Sequence, residues 1–133
     1  MAEHSSSHIA GNTVVLVGDV THDPEPRQLA DGIAWQFDVA TLAGADAESA
    51  ARCVVPVNWY QPSESEIGAV TAGTAVVVIG SVRRRFFRSG GRTSSRTEVV
   101  PDRVIPLRRK ASVAKALAAA AASISGADER RAP

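Results

Sequence analysis

Four arginines and two phenylalanines occupy six consecutive positions, Arg83, Arg84, Arg85, Phe86, Phe87 and Arg88. A guanidinium pairs with phosphate oxygens, and an exposed ring offers a π-face to an unstacked base. The mixture therefore has the chemistry of a surface for single-stranded nucleic acid. Ser89, Gly90 and Gly91 follow as a turn signal, and Arg92 and Arg96 come after it. The chain is expected to double back as a hairpin that sets more cations beside the first set. Successive side chains of a strand point to opposite faces. Arg83, Arg85 and Phe87 share one parity and are expected to project together from an outer face. Val76, Val78, Gly80 and Val82 share the other parity and read as core, so Phe86 reads as a residue that serves folding. The plainer reading is an arginine-rich strand that pairs with carboxylates in a subunit interface. Duplex DNA hides its base faces, so an exposed ring gains less there.

The net charge of +1 conceals a division along the chain. Residues 83–110 carry ten Arg and Lys against Glu98 and Asp102, a net of +8, whereas residues 1–82 carry Arg27 and Arg52 against ten carboxylates, a net of −8. If the basic stretch folds onto one face it attracts a polyanion despite the near-neutral sum. The alternative is a basic surface neutralised by the acidic half of the same chain or of a sister subunit.

At 133 residues with 44% hydrophobic side chains, the chain has material for one core plus tails. Residues 1–11 are polar and unpatterned, a flexible lead-in. Val14 to Val17, ending at Gly18, give a first strand, followed by a polar loop holding Asp23, Pro24, Glu25 and Pro26. Ile33, Trp35, Phe37 and Val39 alternate with Ala34, Gln36 and Asp38, which gives a second strand and places Trp35 in the core. Ala43 to Ala51 reads as a loop, and Val54 to Trp59 as a third strand that Pro56 marks as an edge or a bulge. Ser63 and Glu66 have capping-box spacing and Gly73 a stop position, so a short helix is expected within 63–72. Val76 to Ile79 leads into the arginine run, and Thr97 to Val100 with Val104 and Ile105 supplies the return. Five strands with a helix between the third and fourth is the order of a five-stranded OB-fold barrel, an all-β class. Beyond it, the alanine-dominated stretch from Ala111 to Ser125 has weak helical periodicity and reads more as a frayed tail than as a docked helix.

Other chemistry finds little support. Two of the three histidines, His4 and His8, fall in the lead-in, the third is His22, and no cysteine pair or carboxylate-histidine cluster has metal-ligand spacing. No phosphate-cradling glycine loop precedes a helix. No enzyme activity, metal or cofactor is expected. No apolar run approaches the length of a membrane span, the first residues lack a signal peptide's apolar centre, and the lone Cys53 reads as a buried small side chain. The expected setting is cytoplasmic, with no membrane association.

The chain resembles the bacterial single-stranded DNA-binding proteins from about Gly11 to Leu107. The residues that carry the resemblance are Asn12 to Gly18 (NTVVLVG), Asp23-Pro24-Glu25 with Arg27, Gly32, Val39-Ala40-Thr41, Gly80 to Phe87 (GSVRRRFF) and Thr97 to Val100 (TEVV). The resemblance implies an OB fold, assembly as a homo-oligomer, commonly a tetramer, and wrapping of single-stranded DNA on basic grooves with stacked aromatics. It places Phe87 and Trp59 at stacking positions and Arg83 and Arg85 at basic ones. With Arg88, Arg92 and Arg96 these form the candidate nucleic-acid-binding set. The chain departs from the family pattern where Cys53 and the Ala43 to Ala47 stretch replace expected aromatics, at Asp19, and at Pro62 and Ala72, where lysines are expected. Binding weaker or narrower than in a typical member is expected, in an auxiliary rather than the main replicative role. The family's acidic tip with a terminal aromatic, which recruits replication and repair proteins, has no counterpart in Asp128 to Pro133.

The expected organisation is a lead-in over 1–11, an OB-fold single-stranded DNA-binding domain over 12–108, and an alanine-rich tail over 109–133, helical or disordered. Two rival functions stand beside DNA binding. One is an OB subunit that serves as a structural or interaction partner with little DNA binding, and the other is an RNA-binding module of the same fold, because stacking does not distinguish sugars.

Overall fold

The computed structural model describes residues 11–44 and 51–125. His4, His8, most of the lead-in, the residues from Ala45 to Ala50 and Asp128 to Pro133 lie outside them. The elements run β1 (Val14–Val20), β2 (Glu25–Leu29), β3 (Gly32–Ala43), β4 (Ala51–Tyr60), α1 (Glu64–Gly68), β5 (Ala75–Ser89), β6 (Arg92–Pro106) and α2 (Lys110–Ser125).

The sheet order is β1-β5-β6-β4-β3-β2, and a further β1–β3 pairing closes β1, β5, β6, β4 and β3 into a ring of five strands. All pairings are antiparallel except that of β4 with β6, a parallel contact at Val57 and Val99. This ring, with α1 between its third and fourth strands in chain order, is the five-stranded barrel that the pattern of strands predicts. β2 is additional: the polar Glu25 to Leu29 stretch pairs with β3 across the whole of its length instead of forming a loop.

Two glycines sit where backbones approach too closely for a side chain. A Cβ on Gly18 would meet the carbonyl oxygen of Ala40 at the β1–β3 closure, and one on Gly80 would meet that of Val100. Gly80 also lies at the register shift after Ile79, where β5 bends away from the ring.

Inside the ring, Val20, Phe37, Val39, Val57, Trp59, Val70, Val76, Val78, Val99 and Val104 form one buried cluster, with Trp35 packed against it. β-Branched side chains dominate it, as a pleated surface favours. α1 starts at the capping box: Ser63 Oγ accepts from the Glu66 amide and Glu66 Oε1 accepts from the Ser63 amide. It lends Ile67 to the core edge. Pro56 interrupts nothing, because β4 bonds continuously to β3 from Ala51 to Tyr60 while its other edge meets β6 at a single parallel pair. Cys53 is exposed, contrary to its expected burial. Thr41, its register partner on β3, donates its hydroxyl to Val17 O at 2.8 Å.

The alanine-rich stretch is docked. α2 lays Val113, Ala116 and Ala120 on Val77, Ile79 and Ile105, forming a second small cluster on the outer side of β5 and β6. Small residues let the helix approach the sheet closely, so three short side chains suffice where periodicity suggested a frayed tail. No helix among the described residues is long and apolar enough to cross a membrane.

Candidate nucleic-acid interface

Past Gly80, β5 leaves β1 behind, and past Val99 towards Arg92 β6 leaves β4, so residues 83–98 stand out as a two-stranded arm. Asn12 holds the base of the arm: its side-chain amide donates to Val82 O at 2.8 Å and accepts from Val82 N at 2.9 Å. The tip is Gly90 and Gly91, both at positive φ (59° and 78°), the backbone of a two-residue turn whose twist matches the strands. From Arg84 to Ser89 the arm extends roughly 17 Å at about 3.3 Å per residue.

Cross-strand register fixes the faces. Arg83 lies opposite Glu98, Arg85 opposite Arg96 and Phe87 opposite Ser94 on one face. Arg84 lies opposite Thr97, Phe86 opposite Ser95 and Arg88 opposite Thr93 on the other. Arg83, Arg85 and Phe87 therefore project together, as the alternation of the strand predicts. Arg85 lies over the Phe87 ring, 5.5 Å from its centroid, and Phe87 keeps 38% of its surface exposed.

The charge on that face is largely committed. Glu98 is 2% exposed and accepts from Arg83 Nη2 at 2.9 Å, from Arg85 Nε at 3.3 Å and from Asn58 Nδ2 at 3.1 Å. Arg83 also donates to the Tyr60 hydroxyl and lies over the Tyr60 ring at 5.2 Å. Burial pushes the Glu98 carboxyl up, but the hydrogen bonds from Arg83 and Asn58 together with the charge of Arg85 outweigh it, and the net shift is below the ordinary glutamate value. The bond to Tyr60, then that to Glu98, raises the Arg83 guanidinium against the opposing effect of burial. The Asn58 Oδ1 and Arg83 Nε atoms are buried without a partner. The like charges Arg85 and Arg96, directly opposed, diverge: Arg85 turns to Glu98, while Arg96 leans to Asp38 at 4.0 Å. Beside Arg96 an open depression of about 190 Å³ is lined by His22, Glu25, Gln36, Phe37 and Asp38, so the wall next to the arm is polar and partly acidic.

Trp59 is not on this surface. It is 3% exposed in the barrel core, edge-on to Phe37 with centroids 6.2 Å apart. A ring sealed on both sides has no face for a base, so the stacking position assigned to Trp59 is corrected to a core position. Its neighbours Asn58 and Tyr60, of opposite parity on β4, face the arm instead.

Phe86 differs from expectation in the opposite sense. It is 66% exposed, and Val82 on the same parity is 41% exposed, because the barrel interior ends at Gly80 and none of the described residues buries this face of the arm. The sequence carried a signal: Arg84 and Arg88 share that parity, and a face with two arginines is not a core face. Arg88 and Arg92 are exposed near the tip, where Arg88 reaches Gly91 O at 3.4 Å. Among the described residues, Arg84, Arg88 and Arg92 form no ion pair with a carboxylate, and no group of three or more His, Cys, Asp or Glu is placed to hold a metal ion.

A closed five-strand ring with a capping helix between its third and fourth strands and a basic arm rising from its last hairpin defines an OB-fold protein. Residues 11–107 match the model of the single-strand binding protein family, and the chain belongs to that family. It is 34% identical over 106 residues to a single-stranded DNA-binding protein of Oceanobacillus iheyensis, covering 76% of this chain and 66% of that one. The chain thus spans just under two thirds of that relative's length. The fold is similar to that of a Plasmodium falciparum SSB solved in complex with single-stranded DNA (TM-score 0.63, 17% identity, 75% of this chain and 97% of that one). It is also similar to that of a small single-stranded DNA-binding protein from Streptomyces coelicolor (TM-score 0.56, 21% identity, 75% and 99%).

Proposed function

We infer that this chain binds single-stranded DNA without sequence preference, and protects or organises single strands in replication, repair or recombination. The observation that carries the reading is the arm itself: an exposed ring, Phe87, under the guanidinium of Arg85, on a ribbon whose outer reach holds Arg88 and Arg92 with no carboxylate partner among the described residues. Such a surface offers phosphates a cation and bases a π-face, neither of which depends on base identity. Membership of the single-strand binding protein family and the name of the Oceanobacillus relative support the same conclusion. The function is binding without catalysis, in the cytoplasm, by a homo-oligomer that the family resemblance suggests is a tetramer. Arg83, Arg85 and Arg96 sit closest to internal carboxylates, so Arg88 and Arg92 make the first phosphate contacts.

Titration of the protein with a labelled oligothymidine at several salt concentrations tests the reading. A saturable complex that weakens with salt, and competes better with single-stranded than with duplex DNA, is expected. Absence of a saturable complex at low salt overturns it in favour of the interaction subunit. Stronger competition by matched RNA would reassign the substrate, and light scattering on the eluting protein gives the oligomeric mass.

A further inference from the structure

We propose that the face of the arm opposite Phe87 is a second contact for single-stranded DNA, in which Phe86 stacks on a base while Arg84 and Arg88 hold neighbouring phosphates. The proposal rests on the reading of the chain as a single-strand binder, with which it shares Arg88, and extends it to Arg84 and Phe86, which that reading does not use.

The pleat of β5 sends Arg84, Phe86 and Arg88 to one side, with Thr97, Ser95 and Thr93 opposite them on β6. This face has what the Phe87 face has, with less of its charge spent. Phe86 is 66% exposed against 38% for Phe87, and Arg84 lies 6.0 Å from the Phe86 ring centroid, so each face carries its own pair of ring and guanidinium. On the Phe87 face, Arg83 and Arg85 share the buried carboxylate of Glu98. On the Phe86 face, Arg84 donates to Ser95 Oγ at 3.0 Å and Arg88 to Gly91 O at 3.4 Å, both neutral partners, and among the described residues neither arginine pairs with a carboxylate.

Among the described residues, the exposed Phe86 stands between two arginines without carboxylate partners, on a face that buries no core. Its exposed ring gains little for the fold beyond the contact with Arg84, and clustering cations beside it costs electrostatic repulsion. Both costs are offset when a polyanion with unstacked bases lies along the face. Alternate positions on a strand lie about 6.6 Å apart, so Arg84, Phe86 and Arg88 meet phosphate, base and phosphate in sequence along an extended strand. Hydroxyls from Thr93, Ser95 and Thr97 offer bases polar contacts that suit any sequence. With a platform on each side, the arm sits between two segments of one DNA strand, and a longer oligonucleotide reaches both.

The test compares the parent with Phe86→Ala, Phe87→Ala and the double variant Arg84→Ala/Arg88→Ala, titrated with a short and a long oligothymidine over a salt series. A Phe86→Trp variant reports stacking by fluorescence quenching against the parent's Trp35 and Trp59 background. The expected result is a loss of about 5- to 150-fold in affinity for the long oligomer in Phe86→Ala, with loss of most of the affinity gained by lengthening the DNA. The double variant should lower the salt slope by about 1.4, from roughly 0.7 per phosphate on single strands. Phe86→Trp should be quenched by the long oligomer. Phe86→Ala binding like the parent, with no quenching in Phe86→Trp, overturns the inference and leaves the proposed function standing, since Phe87→Ala is then the weakened variant. A change of oligomeric mass in Phe86→Ala with binding intact places the ring at a contact between protomers and also overturns it. A parent that binds neither oligomer overturns the function itself.

Discussion

Glu98→Gln separates the two tasks that the arm combines. Glu98 is buried and compensates two arginines at once, with N–O distances of 2.9 and 3.3 Å. Glutamine keeps the shape and one acceptor oxygen but removes the charge. Breaking a fully buried pair from one side costs about 3–5 kcal/mol. Here Arg83 and Arg85 are 41% and 25% exposed and recover part of their hydration, which brings the expected loss nearer 2 kcal/mol. At roughly 4 °C per kcal/mol for a domain of this size, Tm at neutral pH should fall by about 8 °C. The loss should depend on pH in a definite direction. The folded-state pKa of Glu98 lies below its unfolded value, so its carboxylate stabilises the fold above the unfolded glutamate pKa of about 4.3, and that stabilisation disappears as pH falls through the lower folded value. The Tm gap between parent and variant should therefore be full near pH 7 and close at strongly acid pH. DNA binding should respond oppositely: with two arginines released, the salt slope should steepen by up to about 1.4. Scanning calorimetry over a pH series and oligothymidine titration over a salt series measure both. A gap that does not change with pH, or a variant as stable as the parent, refutes the claim that Glu98 acts as a shared counter-charge. An unchanged slope removes Arg83 and Arg85 from the phosphate path.

Further outcomes follow from the placement of other residues. Phe87→Ala should weaken oligothymidine binding by about 1–3 kcal/mol with Tm nearly unchanged, because the ring lies outside the core; thermal melts alongside titrations check both halves. Trp59→Ala should destabilise the fold by about 3–5 kcal/mol, and a variant that melts normally yet loses binding would return Trp59 to the interface. Ala116→Asp places a charge under α2 against Val77, Ile79 and Ile105. It should free the helix at a cost of about 2 kcal/mol, comparable to the burial of one large aliphatic side chain, while leaving DNA affinity unchanged. Protease sensitivity of residues 110–125 would report the release. Gly80→Ala puts a methyl on the Val100 carbonyl and should destabilise by about 1–3 kcal/mol, readable as a lowered midpoint in urea.

Local rules made much of this molecule legible. Period-two alternation gave β3 its buried Phe37 and Val39, the Ser63 and Glu66 spacing set the start of α1, and Gly90-Gly91 fixed the turn of the arm. These are properties of neighbouring residues, and they sufficed for the strand order of an OB ring and for the grouping of Arg83, Arg85 and Phe87. The sequence could not tell where the barrel stops. Parity says which residues share a face, but only the departure of β1 and β4 from β5 and β6 decides that Val76 and Val78 have a core beneath them and Phe86 does not. Which acid meets which base was equally hidden. Glu98 lies thirteen residues from Arg85 in the chain, across a hairpin whose register sets the pairing. Trp59 and Tyr60 are adjacent, yet one is inside and the other beside the arginines, because the closure of the ring, and not aromatic character, determines which ring meets solvent. Composition and local pattern thus decide what chemistry the chain carries; the closing of the barrel decides which of it is left outside for a ligand.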